Sequence, residues 1–398
     1  MASKKHSWTA AGAARTAREA RVATAAFLRD AEVARLWQGG RFMEEHQVKT
    51  HAVGDSDSAA LLLTTGLGYT EDWRPNDWVE VADTVLGDLT ETMTAADLYV
   101  LSPAMRDVVV AAALSLTIDD IALLTQEDLP ALKGLLVLPE PLIVTTAKGQ
   151  LGDDLAYMWD GTAGLSMVDE HQRGRFRRLA WTRVPAVQVT SFSDSYGPIQ
   201  PDSFRDFASY AELQGTPVPP LMLDGIRCTR YDWTPTGDQR AAIEDHRRAA
   251  QAVNASSRAM ADAVGWDEDN VEADYVPGSE ITDVDGLFSI KFLYAFWRLC
   301  AQRITDISDA PVKNATRAAA ERAGTSPEVR VTHLRTSARG GNDPETGATW
   351  NHRWVVRMHK VRQWYPSEQR HKVLYRGPYI KGPEDKPLLG GEVVRHLG

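Results

Sequence analysis

The sequence has only two cysteines, Cys228 and Cys300, and they lie far apart in a chain of 398 residues. Their scarcity excludes a disulfide framework and a cysteine-based zinc site, and it is typical of a reducing cytoplasm, which is the predicted location. Long hydrophobic runs are missing too, since no segment reaches the roughly 20 apolar residues that cross a bilayer. The N-terminus, with Lys4 and Lys5, leads into an alanine- and arginine-rich pattern rather than an apolar signal core, so export is not expected.

The common catalytic motifs are also absent. The sequence contains no HExxH, GxxxxGK[ST], GxGxxG or GxSxG, so metalloprotease, P-loop, Rossmann and nucleophile-elbow functions lack their usual starting point. Asp283-Val284-Asp285-Gly286 has some likeness to a calcium loop. However, Ile281 and Phe292 occupy the positions of its first acidic ligand and its closing glutamate. We therefore predict neither a metal nor a cofactor.

What the sequence does have is an ordinary globular composition with an uneven charge. Hydrophobic residues make up 43% of the chain and charged residues 25%, and the formal net charge is −10. Residues 313–398 hold 16 Lys+Arg against 8 Asp+Glu, a net of +8, so the other 312 residues carry −18. Such an asymmetry indicates contact with a polyanion, because phosphates attract Lys and Arg whatever the base sequence. Docking of the basic part on the acidic body of the same chain would explain it equally well.

Hydrophobic periodicity predicts an α+β fold with a helical N-terminal region, a mixed or antiparallel sheet body with packed helices, and a small C-terminal β module. The spacing predicts helices over 10–39, 78–94, 103–116, 237–264 and 287–304. It predicts strands over 135–138, 142–144, 176–181, 186–191, 221–227, 329–334, 352–361 and 371–375. In the helix over 287–304, we expect Phe288, Phe292 and Phe296 to pack inside while Lys291 and Arg298 reach water.

Composition divides the chain into four parts. Residues 1–126 are mainly helical, and residues 127–310 form an α+β body with an acidic, solvated loop near 266–286. Residues 311–326 are an Ala/Arg-rich helical connector with Gly324 near its end and Pro327 just beyond. Residues 327–398 are the basic β module.

The segment from Asn351 to His359 carries the strongest functional pattern. Its period of two places Trp354, Val356 and Met358 on one face, which we expect to pack, and basic residues on the other. A basic surface with interleaved aromatic rings suits single-stranded nucleic acid, because cations meet phosphates and rings stack on bases. A plain solvent-facing strand gives the same alternation. The predicted nucleic-acid-binding residues are Arg353, Arg357, His359, Arg362, Gln363, Tyr365 and Lys381.

Two alternatives use the same module differently. In a ribonuclease, His352, His359 or His371 would act as general acid or base, with Arg357 or Lys381 stabilising the developing phosphorane charge. His352 and His359 are an odd number of positions apart, so an unbulged strand would point them to opposite faces. In a protein-interaction module, the tail would bind its own body or a host or phage protein without nucleic acid.

The C-terminal motifs carry a resemblance to known proteins. The run from His352 to Arg357, then Gln363-Trp364-Tyr365-Pro366 and Pro378 to Asp385, resembles the tail of a widespread group of actinobacterial and actinophage proteins. More remotely, it is similar to the large family named after a type V-A anti-CRISPR protein. In that family a strand bears Arg-Gly-His-Trp, and here Arg357-Met358-His359-Lys360 replaces the glycine and the tryptophan.

The resemblance implies a class of function rather than a target. The namesake of the family lowers the level of a CRISPR effector by acting on its message during translation. What the resemblance implies here is a phage- or mobile-element-associated accessory protein, anti-CRISPR-like, that acts on RNA or on a translating ribonucleoprotein. Taken together, these observations favour a binding protein over an enzyme, and the ribonuclease alternative stays open.

Overall fold

The computed structural model describes the larger part of the chain. The described residues are 8–30, 33–34, 75–146, 151–168, 181–197, 208–209, 212–213, 215, 217–231, 236–238, 240–241, 248, 281–283, 285–302, 305–334, 351–356, 359–365, 370–376, 379–383 and 386–387. Most of the helix predicted over 237–264, the loop over 266–280 and the strand over 176–180 lie outside them, as does Arg357.

A mixed sheet of nine described strands forms the centre of the fold, as the predicted α+β class requires. Its path runs β4-β5-β3-β2-β1-β9-β8, while β6 pairs with β5 and β7 with β2. The bounds are β1 Asp97–Leu101, β2 Lys133–Thr146, β3 Leu151–Asp160, β4 Gly164–Val168, β5 Trp181–Asp194, β6 Leu221–Arg230, β7 Ile281–Asp283, β8 Thr305–Asp309 and β9 Val329–Leu334. β1 runs parallel to both β2 and β9, and β3 to β6 form an antiparallel half.

Helices cover both faces of this sheet. The bounds are α1 Ala10–Arg29, α2 Pro75–Ala95, α3 Pro103–Ser115, α4 Ile118–Ile121, α5 Phe288–Cys300 and α6 Asn314–Ala323. Along β1, Leu98 and Val100 pack in the cluster that includes α1 and α2. The alternate residues Tyr99 and Leu101 pack in the cluster that includes α3 and α5. Because successive side chains of a strand point to opposite faces, β1 contributes residues to both hydrophobic layers.

Local chemistry explains where the helices begin and end. Ser102 caps α3 by accepting a hydrogen bond from the Met105 N–H, and Pro103 follows at the first helical position. The predicted connector is α6, which ends at Gly324 with φ 66°, a left-handed conformation that favours glycine. The aromatic stripe of α5 is core, as predicted, because Phe288, Phe292 and Phe296 are all buried.

Two strand predictions need correction. The segments 135–138 and 142–144 belong to a single strand, β2, which passes through Pro139 and Pro141 without a turn. Its pairing with β3 shifts between Val137 and Leu142, and such an irregularity tolerates proline, which has no N–H to donate. In addition, the segment over 352–361 is two strands rather than one.

The C-terminal part contains two small antiparallel sheets. β10 (Trp354–Val356) pairs with β13 (Tyr379–Lys381), and β11 (His359–Tyr365) pairs with β12 (Arg370–Arg376). β9, which was predicted to open the basic module, instead lies between β1 and β8 in the large sheet. Its buried Val329 and Val331 complete the α1/α2 layer, which is why it belongs there. We keep the name C-terminal module for residues 351–387.

Candidate nucleic-acid interface

The β11–β12 hairpin concentrates positive charge. Its seven cross-strand pairs hold five Lys or Arg residues and no Asp or Glu. Direct partners in an antiparallel pair share a face. The pairs therefore place Arg370, Lys372 and Arg376 on one face and Lys360 and Arg362 on the other. The hairpin is basic on both of its faces.

The structure places the other predicted binding residues of this hairpin in the same register. Gln363 is the partner of Lys372, and Tyr365 is the partner of Arg370, so both share the face that holds three cations. Arg362 pairs with Val373 on the opposite face. The predicted binding residues of the hairpin are therefore divided between its faces.

The three catalytic candidates are not brought together by one strand pair. His359 pairs with Arg376, whereas His371 pairs with Trp364, and these pairs alternate between faces. His352 precedes β10 in the other small sheet, where its ring centroid lies 5.5 Å from that of Trp354. The hairpin alone thus does not present His359 and His371 to one phosphate.

The β10–β13 pair is seated on the body of the protein. Ile380 packs against the cluster that contains α3 and α5, and β10 contacts α3. Val355 is the direct cross-strand partner of Ile380. Trp354 and Lys381 are partners on the opposite face, with Trp354 half-buried and Lys381 exposed. Trp354, which was expected to pack inside, thus shares its face with an exposed lysine.

Arg353 makes hydrogen bonds within the protein, although it was predicted to bind nucleic acid at the surface. It is half-buried, and its Nε donates a hydrogen bond of 2.9 Å to the carbonyl of Lys386. Its backbone N–H donates to the Pro387 carbonyl at 2.8 Å. Arg353 therefore joins the start of β10 to the segment over 386–387. Lys381, another predicted binding residue, is exposed. The sequence pattern did not show that Trp354 shares a face with Lys381, because alternation defines two faces without saying which one packs.

A second polar group lies at the start of α5, and here too a prediction fails. Lys291 was expected to reach water, but its side chain is only 10% exposed and its Nζ pairs with Asp285. Asp283 accepts hydrogen bonds from the Leu287 and Phe288 N–H groups, at 3.1 and 3.3 Å. Burial, together with the charge of Asp285, raises the pKa of Asp283 above its ordinary value. Arg298, also expected in water, pairs with Asp128 at 2.6 Å.

A further set of polar side chains lies on strands of the sheet. The Tyr157 hydroxyl donates to Asp154 at 2.5 Å, and Ser191 donates to Asp224 at 3.3 Å. Burial and the neighbouring carboxylates raise the pKa of Tyr157 well above its ordinary value. The sequence signal was the carboxylates inside otherwise apolar strands. The Tyr157–Asp154 bond lies within β3 and the Ser191–Asp224 bond joins β5 to β6, so both have a structural role.

Among the described residues, no group of three or more His, Cys, Asp or Glu side chains is arranged to hold a metal ion. No helix in the described part of the chain is long and apolar enough to cross a membrane.

Comparisons of the chain with known protein families, with curated proteins and with solved structures found no match. Its fold and site therefore define it only as an α+β protein that carries a basic C-terminal β hairpin.

Proposed function

We propose that this protein binds single-stranded RNA, free or within a translating ribonucleoprotein, through its C-terminal module. The observation that carries the proposal is the β11–β12 hairpin, whose fourteen paired residues include five cations and no carboxylate. Trp364, Tyr365 and Tyr375 lie among those cations in the sequence. Cations and aromatic rings together are the usual means of holding an unpaired strand.

The charge of the remaining chain supports the same site. Outside residues 313–398 the chain has 28 Lys+Arg and 46 Asp+Glu, which gives −18, against +8 within them. An acidic body repels phosphate while a basic hairpin attracts it, so the field of the whole protein favours approach of RNA to the module.

The resemblance of the C-terminal motifs to actinobacterial and actinophage proteins, and remotely to the anti-CRISPR-named family, supports the biological class. On that ground the protein is an accessory factor of a bacteriophage or an actinobacterial mobile element. Its anti-CRISPR-like action would be exerted on a message rather than by chemistry at a metal or cofactor.

The full-length chain is the right reagent for the test. A fragment over 313–398 would remove β9 from its place between β1 and β8 and would expose the buried Val329 and Val331. Binding of labelled oligouridylate to the whole protein is therefore titrated against salt by fluorescence anisotropy.

Each phosphate neutralised in a single strand contributes about 0.7 to the slope of log affinity against log salt. If all five hairpin cations bind, the slope is about −3.5, so raising salt from 50 to 200 mM lowers the affinity about 100-fold. Two double variants, Lys360→Gln with Arg362→Gln and Arg370→Gln with Lys372→Gln, each remove two cations from one face, and Arg376 remains on the second. With all five cations bound, each double variant should reduce the slope by about 1.4, and if only one face binds, only the variant on that face should do so.

The matched control neutralises two exposed cations of the same basic stretch outside the module. Lys313→Gln with Arg322→Gln changes the net charge equally and should leave the slope unchanged. Equal slopes in all four proteins, or no salt-sensitive binding, would contradict the proposal and favour a module that docks on protein.

The same reactions, run on a denaturing gel, separate binding from the ribonuclease alternative. We expect intact RNA after long incubation, because the hairpin register places His359 and His371 on opposite faces. Cleavage that is lost in His359→Ala while binding persists would show catalysis instead.

A further inference from the structure

The outward face of the β10–β13 pair holds an aromatic residue and a cation side by side. Trp354 and Lys381 are direct cross-strand partners. The side chains of direct partners start about 4.5–5.5 Å apart at Cβ. Trp354 is half-buried and Lys381 is exposed, so an indole ring and an ammonium group border the same patch of surface.

His352 adds a second ring to this patch. Its centroid lies 5.5 Å from that of Trp354, and the two ring planes meet at 58°. The rings therefore form a corner rather than a closed stack. A planar base can lie against one ring while its edge meets the other, and Lys381 lies on the same side for the phosphate.

Backbone contacts hold the patch in place. Gly382 has φ 114°, and a Cβ added there would lie 2.5 Å from the His352 carbonyl oxygen and 2.9 Å from the Arg353 Cα. The close approach of these two segments therefore requires glycine. Arg353 also donates hydrogen bonds to the Lys386 and Pro387 carbonyls, which fixes the segment beside His352. On the other face of the pair, Ile380 packs against the core. Such support lowers the ordering cost of binding.

We infer that Trp354, His352 and Lys381 form a base-stacking platform for one unpaired nucleotide of the bound RNA. This inference rests on the proposed function and deepens it. The hairpin supplies attraction to phosphates in general, and the platform supplies preference for a strand whose bases are free to stack. It also gives His352 a recognition role in place of the acid–base role that the sequence suggested.

The test compares two probes and five full-length proteins at fixed salt. One probe is an oligouridylate, and the other is an abasic ribose-phosphate oligomer of the same length and charge. The proteins are the wild type, Trp354→Ala, Trp354→Phe, Lys381→Gln and the matched control Trp8→Ala. Trp8 is also half-buried and also packs against a histidine ring, that of His333, at 5.7 Å between centroids.

Stacking of one base contributes about 1–3 kcal/mol, which is about fivefold or more in affinity. The wild type should therefore prefer the oligouridylate by at least that factor. Trp354→Ala should lose about fivefold or more of the preference, while Trp354→Phe should keep most of it and Trp8→Ala all of it. Lys381→Gln should reduce the salt slope by about 0.7 and keep the preference.

Different outcomes separate the two proposals. Salt-dependent binding of both probes with equal affinity by the wild type, or an undiminished preference in Trp354→Ala, overturns the platform and leaves RNA binding standing. A wild type that binds neither probe overturns both. If Trp354→Ala unfolds, Lys381→Gln decides, because an unchanged salt slope in that variant would overturn the platform.

Discussion

The buried ion pair at the start of α5 allows a quantitative prediction about stability. The side chains of Lys291 and Asp285 are 10% and 11% exposed, and Asp285 also accepts a hydrogen bond from the Leu287 N–H at 3.2 Å. Lys291→Met leaves the Asp285 carboxylate buried beside Asp283 without its cation. Removing one member of a buried pair costs about 3–5 kcal/mol, and we expect a loss in that range.

The partner variant should cost less. In Asp285→Asn the amide oxygen still accepts from the Leu287 N–H, and the neighbouring Asp283 still offers Lys291 a negative charge. We expect about 1–3 kcal/mol, the cost of a weakened buried hydrogen bond. The double variant removes both charges, so its cost should fall short of the sum of the single variants by about 2–3 kcal/mol.

Urea unfolding with linear extrapolation measures the four free energies of this cycle. The matched control is the exposed pair Arg317–Glu328, whose side chains are 51% and 49% exposed. The coupling of that pair should be about 1 kcal/mol or less. If the losses in free energy of unfolding of Lys291→Met and Asp285→Asn simply added in the double variant, the two charges would not stabilise each other, and the argument would be refuted.

Three further predictions concern single groups. Gly382→Ala should strain the backbone by about 1–3 kcal/mol and open the β10–β13 pair, while the free energy of global unfolding changes little. The amides of that pair should then lose their protection from hydrogen exchange. Retained protection would contradict the required close approach. The folded state raises the pKa of Asp283 above the ordinary 3.8, so it binds more protons than the unfolded state. The wild type should therefore gain stability relative to Asp283→Asn as pH falls through the raised pKa toward 3.8. Urea unfolding of both proteins at a series of pH values measures this gain. A difference in free energy of unfolding that stays constant with pH would contradict the prediction. Burial raises the pKa of the Cys300 thiol to about 12 and that of Cys228 above its ordinary value, so iodoacetamide at mildly alkaline pH should label both thiols in urea and neither in the native protein.

The local elements of the fold were predictable because their signals are local. Pro103 after Ser102 marked the start of α3, and Gly324 before Pro327 marked the end of α6. The aromatic stripe of α5 identified a core helix. Strand pairing was not predictable in the same way. Nothing near β9 in the sequence shows that its partner is β1, because that pairing depends on a hydrophobic layer built by distant residues.

The candidate site shows the same division. Composition located the basic module, and the charge of the β11–β12 hairpin follows from counting its residues. The orientation of β10 did not follow, because it depends on the pairing of Trp354 with Lys381 and on the packing of Ile380, both set by a distant strand. Lys291 was placed in water because its partner Asp285 belongs to a loop whose fold the sequence does not specify.

The position of β9 has a consequence for synthesis of the chain. Arg330 of β9 and its neighbour Tyr99 on β1 are 231 residues apart, so a ribosome working at roughly 5–20 residues per second separates them by about 10–50 s. During that interval the edge of β1 that later pairs with β9 has no partner strand, and the residues of the module have not yet been made. A chain released early therefore lacks both the completed sheet and the basic hairpin. Under the proposed function, only finished copies compete for RNA.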